Sequence, residues 1–336
     1  TASSGSAYTL DRWRTFVSGD SSGAFTVQQS TDSYPTTNIS GVKDNFKASA
    51  LITVTSAGSA AANNNVKFQQ RMEGNNVYDL AFGTSAAKTV TVSFYVKCSL
   101  TGTFGASLVN AAHNRSNIQT YTINSANTWE YKTFTVAGDT SGSWVTNAST
   151  GLQLMFDLGS GSSKLSDTTN QWLSDEYHGT NSTVKLTHTN GATWQIAGVQ
   201  LEAGTQATSF EHRPIGEELE LCRRYYQVLV DQADTGSYKS YAIACCYSGS
   251  SLHHTHSLSP VMRTTPTLDY TSGSDYYAAY QNGTNDTFDS MSLVGNSHSH
   301  GVDIMVSGGG LSVTQAAAAL MRTANDNSRI AFTAEL

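Results

Sequence analysis

Histidines occur in two short pairs whose spacing suits a transition-metal ion. His254 and His256 form one His-x-His unit, and His298 and His300 form a second. In a β-strand, residues i and i+2 lie on the same face, so each pair can present two imidazole nitrogens to one ion. Both pairs lie in stretches rich in Ser, Thr and Gly, so solvated loop histidines are the alternative. We predict a candidate metal site at these four residues and no other cofactor.

One acidic pair has residue types that suit glycoside hydrolysis. Asp175 and Glu176 are adjacent, and Trp172 and Tyr177 place aromatic rings beside them. A glycosidase needs two carboxyl groups that face each other across a cleft, about 5–9.5 Å apart. Adjacent acidic residues on an exposed loop instead point apart and are solvated. Because no acid and base pair has a supporting context, we predict no catalytic residue and no enzyme activity.

Sugar binding is the chemistry that the polar composition favours. Saccharides stack their apolar faces on aromatic rings and bind amides, hydroxyls and carboxylates through hydrogen bonds, so few formal charges are needed. Trp144, Trp172 and Tyr177 lie in polar segments and are candidate ligand-binding residues. Packing is the alternative role for these three rings. Trp13 and Trp194 lie beside apolar residues in strand-like motifs, so we predict that they belong to the core.

A second group of candidate ligand-binding residues lies in the last quarter of the chain. Tyr276, Tyr277 and Tyr280 precede Asn282 in a segment that mixes rigid rings with adaptable polar groups. This mixture is enriched in recognition loops. Strand alternation predicts Tyr276 and Tyr280 on one face and Tyr277 on the other. The alternative is that one face closes the core or a subunit interface.

The composition excludes two classes of partner. Only 13% of the 336 residues are charged, and the net charge is −7, whereas globular chains usually carry about 25% charged residues. No cluster of Lys and Arg is present in the sequence to neutralise phosphates, so we predict no nucleic-acid binding. Apolar runs such as residues 316–320 are far shorter than the roughly 18 residues of a membrane-spanning helix. We therefore predict no membrane insertion.

Short segments that alternate apolar and hydroxyl-bearing residues recur in the first 212 residues. In residues 89–96, Val and Phe alternate with Thr, Ser and Tyr, which predicts one face against a core and one hydroxyl-rich face outward. Similar segments occupy residues 51–54, 65–72, 119–123, 131–136, 152–158 and 193–201. Short strands separated by turn residues are typical of an antiparallel sandwich.

Residues 214–229 interrupt this β pattern. Pro214 stands at the start, Glu217 and Glu218 follow in the first turn, and arginines come later, an order that the helix dipole favours. We predict a short helix here, within a connector over residues 213–230. Strand-like segments resume at residues 241–246, 267–270, 287–293, 302–306 and 330–335. The predicted fold is therefore all-β, with a sandwich domain at residues 1–212 and a smaller C-terminal β domain at residues 231–336.

Four segments resemble tailed-bacteriophage tail-fibre and related prophage proteins. Residues 194–214, which begin Trp-Gln-Ile-Ala-Gly-Val-Gln-Leu and run into residues 218–226, form the long and specific one. Residues 8–13, 262–267 and 332–336 also match, so the resemblance spans nearly the whole chain. The resemblance implies a jelly-roll first domain similar to carbohydrate-binding modules. It also implies a small β domain at the distal end of a homotrimeric fibre.

The same resemblance implies partners and a location. The expected location is the extracellular face of a virion tail fibre. The expected partners are a host cell-surface glycan of lipopolysaccharide or capsule type, two further copies of this chain, and other tail proteins through an N-terminal part that is not recognisable in this sequence. Some tailed-phage fibre tips are similar in binding metal through axial His-x-His motifs, although this sequence lacks their serial array.

Three functions follow from these expectations. The favoured one is a non-enzymatic receptor-binding protein. In it, the sandwich domain presents the C-terminal domain or stiffens the fibre, and residues 231–336 contact the host glycan. The second is a depolymerase that cleaves host surface polysaccharide. The third is a structural spacer or decoration of the virion that binds no host molecule.

Overall fold

The chain folds into two compact units. In this computed structural model, the structure describes residues 5–10, 12–19, 22–39, 41–231, 238–308 and 311–336. The first unit comprises Thr1–His212 together with Leu336, and the second comprises Arg213–Glu335. Neither of the two α-helices in these ranges has the length and apolar character needed to cross a bilayer.

The described residues of the first unit form two antiparallel sheets and one short helix, α1 (Gly74–Val77). The sheet that we call the large sheet has the order β1 (Gly5–Leu10), β2 (Trp13–Ser18), β5 (Asn65–Glu73), β10 (Thr150–Asp157), β7 (Gly102–Asn110), β8 (Ser116–Ile123) and β11 (Trp172–Leu173). The small sheet has the order β3 (Ala24–Ser30), β4 (Ser49–Ser56), β12 (Thr193–Ala203), β6 (Val90–Cys98) and β9 (Glu130–Val136). Successive strands repeatedly cross between the sheets. The predicted all-β jelly-roll sandwich is confirmed.

The core of the first unit lies between these two sheets. Phe68 of β5, Phe156 of β10 and Trp194 of β12 are fully buried there. Trp13 stacks on Phe68 with ring centroids 4.7 Å apart, and the Trp194 indole N–H donates to the Tyr121 hydroxyl at 3.1 Å. The core roles predicted for Trp13 and Trp194 are therefore confirmed.

Strand β6 differs from its prediction on one face. Its apolar side chains face the core as expected, but Thr91, Ser93 and Tyr95 on the opposite face are buried too. Tyr95 packs in a separate small cluster with Val42 and Trp129. The prediction that the hydroxyl-rich face of this strand points outward to solvent is therefore wrong, because residues outside the small sheet cover that face.

The described residues of the second unit begin with helix α2 (Ile215–Arg223) and also form two antiparallel sheets. A three-stranded sheet has the order β13 (Tyr226–Val230), β22 (Ile330–Thr333) and β16 (Thr267–Tyr270). A seven-stranded sheet has the order β18 (Thr284–Phe288), β17 (Tyr277–Gln281), β21 (Ala318–Thr323), β14 (Ser240–Ser248), β15 (Ser251–Ser257), β20 (Gly301–Ser307) and β19 (Met291–Leu293). Tyr277, Phe288, Leu252 and Ile304 are fully buried in the core of this unit.

The predicted helix is correct at its start and wrong at its end. Helix α2 begins after Pro214 and ends at Arg223, whereas Tyr226–Val230 is strand β13, paired with β22. Tyr and Val favour the extended conformation, and the ladder with β22 satisfies their backbone groups. The segment predicted as one strand at residues 287–293 is also divided, between β18 and β19.

The sandwich core supplies a first testable prediction. We expect Phe68→Ala to lower the free energy of unfolding of the first unit by about 3–5 kcal/mol, because a buried ring leaves a cavity. Urea denaturation followed by tryptophan fluorescence measures this, since all 5 tryptophans precede residue 213. Tyr78→Ala is the control, because the Tyr78 side chain is 66% exposed. Equal stability of the two variants would contradict the core assignment.

Candidate functional site

The large sheet has one face turned away from the core, which we call the outer face. Strand register places alternate residues of neighbouring strands side by side on it. These residues include Tyr8, Arg14, Phe16, Lys67, Gln69, Arg71, Ser107, Gln153 and Asp157. The outer face is thus much more polar than the opposite face, which packs in the core.

A buried carboxylate holds four basic side chains at this face. Glu176 Oε1 lies 2.5 Å from Lys67 Nζ, 2.9 Å from His113 Nδ1 and 3.2 Å from His178 Nε2. Glu176 Oε2 lies 2.8 Å from Lys164 Nζ. We call these five residues the ionic cluster. The Lys67, Glu176 and His178 side chains are nearly inaccessible to solvent, whereas His113 and Lys164 lie at the rim.

Three members of the ionic cluster come from the long segment 158–188, which lies over the outer face. Within this segment, His178 N donates to Lys164 O at 2.9 Å. The segment approaches β7 closely at Gly105, where a Cβ atom would meet Gly179 Cα at 2.7 Å and His178 O at 2.8 Å. Glycine at position 105 is therefore required for this contact, since a side chain would push the segment away.

The charged groups of the ionic cluster shift one another's pKa values. Burial alone would raise the pKa of Glu176, but hydrogen bonds from His113 and His178 and the Lys67 ammonium hold that pKa well below its usual range. Burial lowers the pKa of Lys67 and of His178, and the attraction of Glu176 only partly offsets this. At neutral pH, Glu176 is thus a charged hydrogen-bond acceptor.

Unpartnered polar atoms lie beside the ionic cluster on the outer face. Within the described residues, both amide atoms of Gln69, the Ser107 hydroxyl and the Gln153 Oε1 atom have no hydrogen-bond partner. These side chains come from three neighbouring strands and are almost fully buried. A buried polar group without a partner costs about 1–3 kcal/mol. The outer face therefore has hydrogen-bonding capacity that the protein itself does not use.

Aromatic rings complete the outer face. The Phe16 ring lies 5.1 Å from Lys67 Nζ and 5.8 Å from the Arg14 guanidinium carbon. Tyr177 follows Glu176 directly, is half-buried, and its main-chain N–H donates to Ser116 Oγ at 3.1 Å. Rings beside cations and amides are the groups that hold a saccharide. The predicted ligand-binding role of Tyr177 stays a prediction, and this is its setting.

Trp144 and Trp172, also predicted as ligand-binding residues, meet each other and Phe82. Their rings are 5.3 Å apart and nearly perpendicular, at 86°. Trp172 donates its indole N–H to Ala137 O, and both rings pack against the core. Perpendicular rings do not form one flat platform. A cavity of about 260 Å³ adjoins Trp144 and Tyr78. The predicted ligand-binding role of Trp144 and Trp172 stays a prediction.

The acidic pair Asp175 and Glu176 has separated roles. Asp175 is exposed, and its Oδ1 accepts the main-chain N–H of Glu176 at 2.7 Å. Glu176 is turned into the ionic cluster. The two carboxylates therefore do not face each other across a cleft.

The tyrosines predicted for the second unit do not form one exposed surface. Tyr277 is fully buried, and its hydroxyl donates to Arg329 O at 2.7 Å, so its predicted ligand-binding role is wrong. Tyr276 packs against the core, and the Tyr280 ring lies 3.8 Å from the Arg322 guanidinium carbon. Asn282 is exposed in the β17–β18 turn with φ of 52°, a conformation that Asn tolerates. Ligand binding by Tyr276, Tyr280 and Asn282 remains a prediction.

The two histidine pairs differ in structure. His254 and His256 share one face of β15, and His254 Nδ1 lies 2.9 Å from His256 Nε2. His298 and His300 instead lie in an exposed turn, so the strand geometry proposed for a metal fails there. Among the described residues, no group of three or more His, Cys, Asp or Glu side chains is placed to hold a metal ion. Metal binding at these residues remains a prediction.

The sequence reasoning missed Lys67, His113, Lys164 and His178 as members of a site. Lys67 and Glu176 are 109 residues apart in sequence, and a local pattern carries no information about such a pairing. One signal was available in the sequence. Lys67, Gln69 and Arg71 alternate in β5, and three polar residues on one face of a central strand are not expected where that face packs in an apolar core.

Comparisons with known proteins give weak structural likenesses. No family model and no curated protein matches the sequence. The enzymatically active domain of tailspike protein 4 of bacteriophage CBA120 is similar over 57% of this chain, with 12% identity and a TM-score of 0.31. The match covers 19% of the tailspike domain, so this chain spans about a fifth of its length.

Two carbohydrate-binding modules are similar to a comparable degree. A family 4 module shares 18% identity over 55% of this chain and 90% of the module, with a TM-score of 0.28. The family 11 module from Clostridium thermocellum, solved with a β-1,3-1,4-mixed-linked tetrasaccharide, shares 9% identity over 61% of this chain and all of the module, with a TM-score of 0.28. These likenesses establish neither a ligand nor an activity for this chain.

The ionic cluster supplies the second prediction. We expect Glu176→Gln to lower the free energy of unfolding by about 3–5 kcal/mol at pH 7, because Lys67 stays buried without its partner. The control, Asp79→Asn, breaks an exposed pair with Lys88 and should cost at most about 1 kcal/mol.

The pH dependence of stability tests the same cluster. The pKa of Glu176 is lower in the folded state than in the unfolded chain, where the pKa of a Glu is about 4.3. Its contribution is therefore present above that pH and is lost as the pH falls. Between about pH 5 and pH 3, the wild-type protein should lose more stability than Glu176→Gln in urea denaturation. Parallel pH profiles would show that the carboxylate is not paired.

Proposed function

We propose that this chain is a non-catalytic glycan-binding part of a bacteriophage tail fibre that attaches the virion to host surface polysaccharide. The observation that carries the proposal is the combination of half-buried rings and partly exposed basic side chains on the outer face, namely Phe16 and Tyr177 with Arg14, His113 and Lys164. Saccharide hydroxyls both donate and accept hydrogen bonds, and sugar rings stack on aromatic side chains, so a glycan fits these accessible groups. The resemblance to tail-fibre proteins supports the setting on a virion.

The proposal places binding on the first unit. Tyr177 and Phe16 offer rings, while Lys164 and His113 lie at the rim where a ligand can reach them. The resemblance favours the second unit for host contact, but there Tyr277 is buried and Tyr280 lies against Arg322. The outer face therefore has the better combination of rings and accessible basic side chains.

Catalysis is left out of the proposal for a chemical reason. A glycosidase acid must hold a proton near neutral pH, which needs a raised pKa. The pKa of Glu176 is instead held well below its usual range, so Glu176 has no proton to give. The neighbouring Asp175 is exposed, and its Oδ1 accepts the main-chain N–H of Glu176. Depolymerase activity therefore gains no support from this pair.

Binding to purified glycans is the third prediction. Immobilised lipopolysaccharide and capsular polysaccharide preparations from candidate hosts should bind the wild-type protein in biolayer interferometry, without release of reducing ends. Tyr177→Ala should weaken this binding severalfold, because a stacked ring contributes about 1 kcal/mol. Tyr238→Ala, at an exposed position of the second unit, should leave it unchanged.

Three results would contradict this proposal in different ways. Release of reducing ends would favour a depolymerase, and no binding to any preparation or host cell would favour a structural spacer. Loss of binding in Tyr280→Ala, with full binding in Tyr177→Ala, would place the site on the second unit.

Self-association is the second part of the proposal, and we propose a homotrimer. Its support is a set of apolar side chains that a single chain leaves exposed. Ile243 and Tyr247 point out from the same face of β14 and are 73% and 71% exposed, and Ile215 and Leu219 of α2 are also exposed. Contiguous exposed apolar side chains mark interaction surfaces, and Ile243 and Tyr247 share one strand face. The number of copies, three, comes from the resemblance to homotrimeric fibres.

The mass in solution is the fourth prediction. Light scattering coupled to size-exclusion chromatography should give three times the 35.9 kDa of one chain. Ile243→Lys should shift the population toward the single chain, because a charge at an interface core is costly to bury. The control Tyr78→Ala should keep the trimer. A single-chain mass for the wild-type protein would contradict the trimer.

A further inference from the structure

We infer that the outer face selects glycans that carry negatively charged groups, carboxylate or phosphate, over neutral glycans. This inference rests on the proposed function and deepens it by naming the class of ligand. It goes against the overall composition, since the chain has 26 acidic and 19 basic residues and a net charge of −7.

The charges of the outer face are predominantly positive. Four cationic residues lie on it or directly over it, namely Arg14, Lys67, Arg71 and Lys164. The carboxylates that face them are Glu176 in the ionic cluster and Glu73 at the end of β5, while Asp157 is paired with Lys185 at 3.1 Å. Four cations thus stand against two side-chain carboxylates and the Leu336 main-chain oxygen that accepts from Arg71, in a protein that is acidic as a whole.

The cations are close enough to repel one another. Arg14 is paired with Gln69 in the ladder between β2 and β5, and Gln69 lies between Lys67 and Arg71 on the same face. Burial lowers the pKa of Arg71, and the nearby charge of Arg14 lowers it further. Burial likewise lowers the pKa of Lys67, and Lys164 and Arg71 add to that effect. An anionic group bound here would relieve this repulsion.

An incoming anion can reach part of this set. The Lys164 side chain is 26% exposed, and Arg14 and Arg71 are half-buried. Arg71 already holds an oxygen acceptor, because its Nη1 donates to the main-chain oxygen of Leu336 at 3.0 Å. Lys67 lies beneath, fixed to Glu176. The accessible cations, Arg14, Arg71 and Lys164, therefore lie around the buried Lys67 side chain, whose position the ionic cluster fixes.

The geometry fits an anionic sugar better than an isolated anion. A guanidinium donates in a planar fork that matches carboxylate and phosphate oxygens. Phe16 lies under Arg14 and beside Lys67, so a ring face is available next to the charges. His113 at the rim provides a polar group for neutral hydroxyls. Together these groups suit a polysaccharide of uronic acids or of phosphorylated sugars.

The fifth prediction compares charged and neutral polymers on the full chain. Isothermal titration uses polygalacturonate as the carboxylate probe, phosphomannan as the phosphate probe and mixed-linkage β-glucan as the neutral probe. We expect at least one charged polymer to bind about tenfold or more tightly than the neutral one. Raising NaCl from about 50 to 300 mM should weaken that binding.

Charge-removing variants locate the effect. Arg14→Gln and Lys164→Gln should each weaken binding of the charged polymer about tenfold, since each removes a charged contact. Arg14→Gln leaves the ionic cluster intact, so it separates binding from stability. Lys88→Gln removes the same charge at an exposed position paired with Asp79, and it should bind as the wild-type protein does.

The outcomes separate this inference from the proposed function. Equal binding of neutral and charged polymers would overturn the charge selectivity and leave glycan binding in place. An equal loss in Lys88→Gln and Arg14→Gln would show attraction by the whole protein and would also overturn it. Failure of all three polymers and of host glycan preparations to bind would overturn both proposals.

Discussion

The burial of the Glu176 carboxylate among Lys67, Lys164, His113 and His178 is the interaction on which the outer face depends. It joins a central strand, a hairpin turn and the long segment 158–188 at one point. An ionised carboxylate buried alone would be very costly, and its partners bring that cost down only in this geometry. The cluster therefore fixes the position of the segment that lies over the sheet, and with it Tyr177.

The low charge content of the chain gains a specific meaning from this arrangement. With only 13% charged residues, the protein has few charges to place, yet four cations lie on or over one sheet face. Elsewhere the strands carry hydroxyl and amide groups, which form surfaces without strong electrostatic fields. The acidic net charge and the positive outer face thus coexist. The positive outer face cannot be recognised from the total numbers of acidic and basic residues.

Local patterns predicted much of the fold, because strand periodicity is a local property. Residues 267–270 were predicted as a strand with the bounds that β16 has, and the burial of Trp194 followed from its apolar neighbours. The covered face of β6 and the change from helix to strand at Tyr226 depend on contacts with residues that are distant in sequence. Local patterns therefore did not predict them. For the candidate site, the neighbours of Tyr177 predicted a ligand-binding role that stays a prediction. Lys67 could not be predicted, since its partner is 109 residues away.

The central claim is that the outer face of the large sheet binds a glycan. A crystal structure of the full chain with a bound oligogalacturonate tests it most directly, because it shows where the sugar lies. The account predicts a sugar ring beside Phe16 or Tyr177, with its carboxylate held by Arg14 or Lys164. A sugar bound only in the cavity beside Trp144, or only on the second unit, would contradict it.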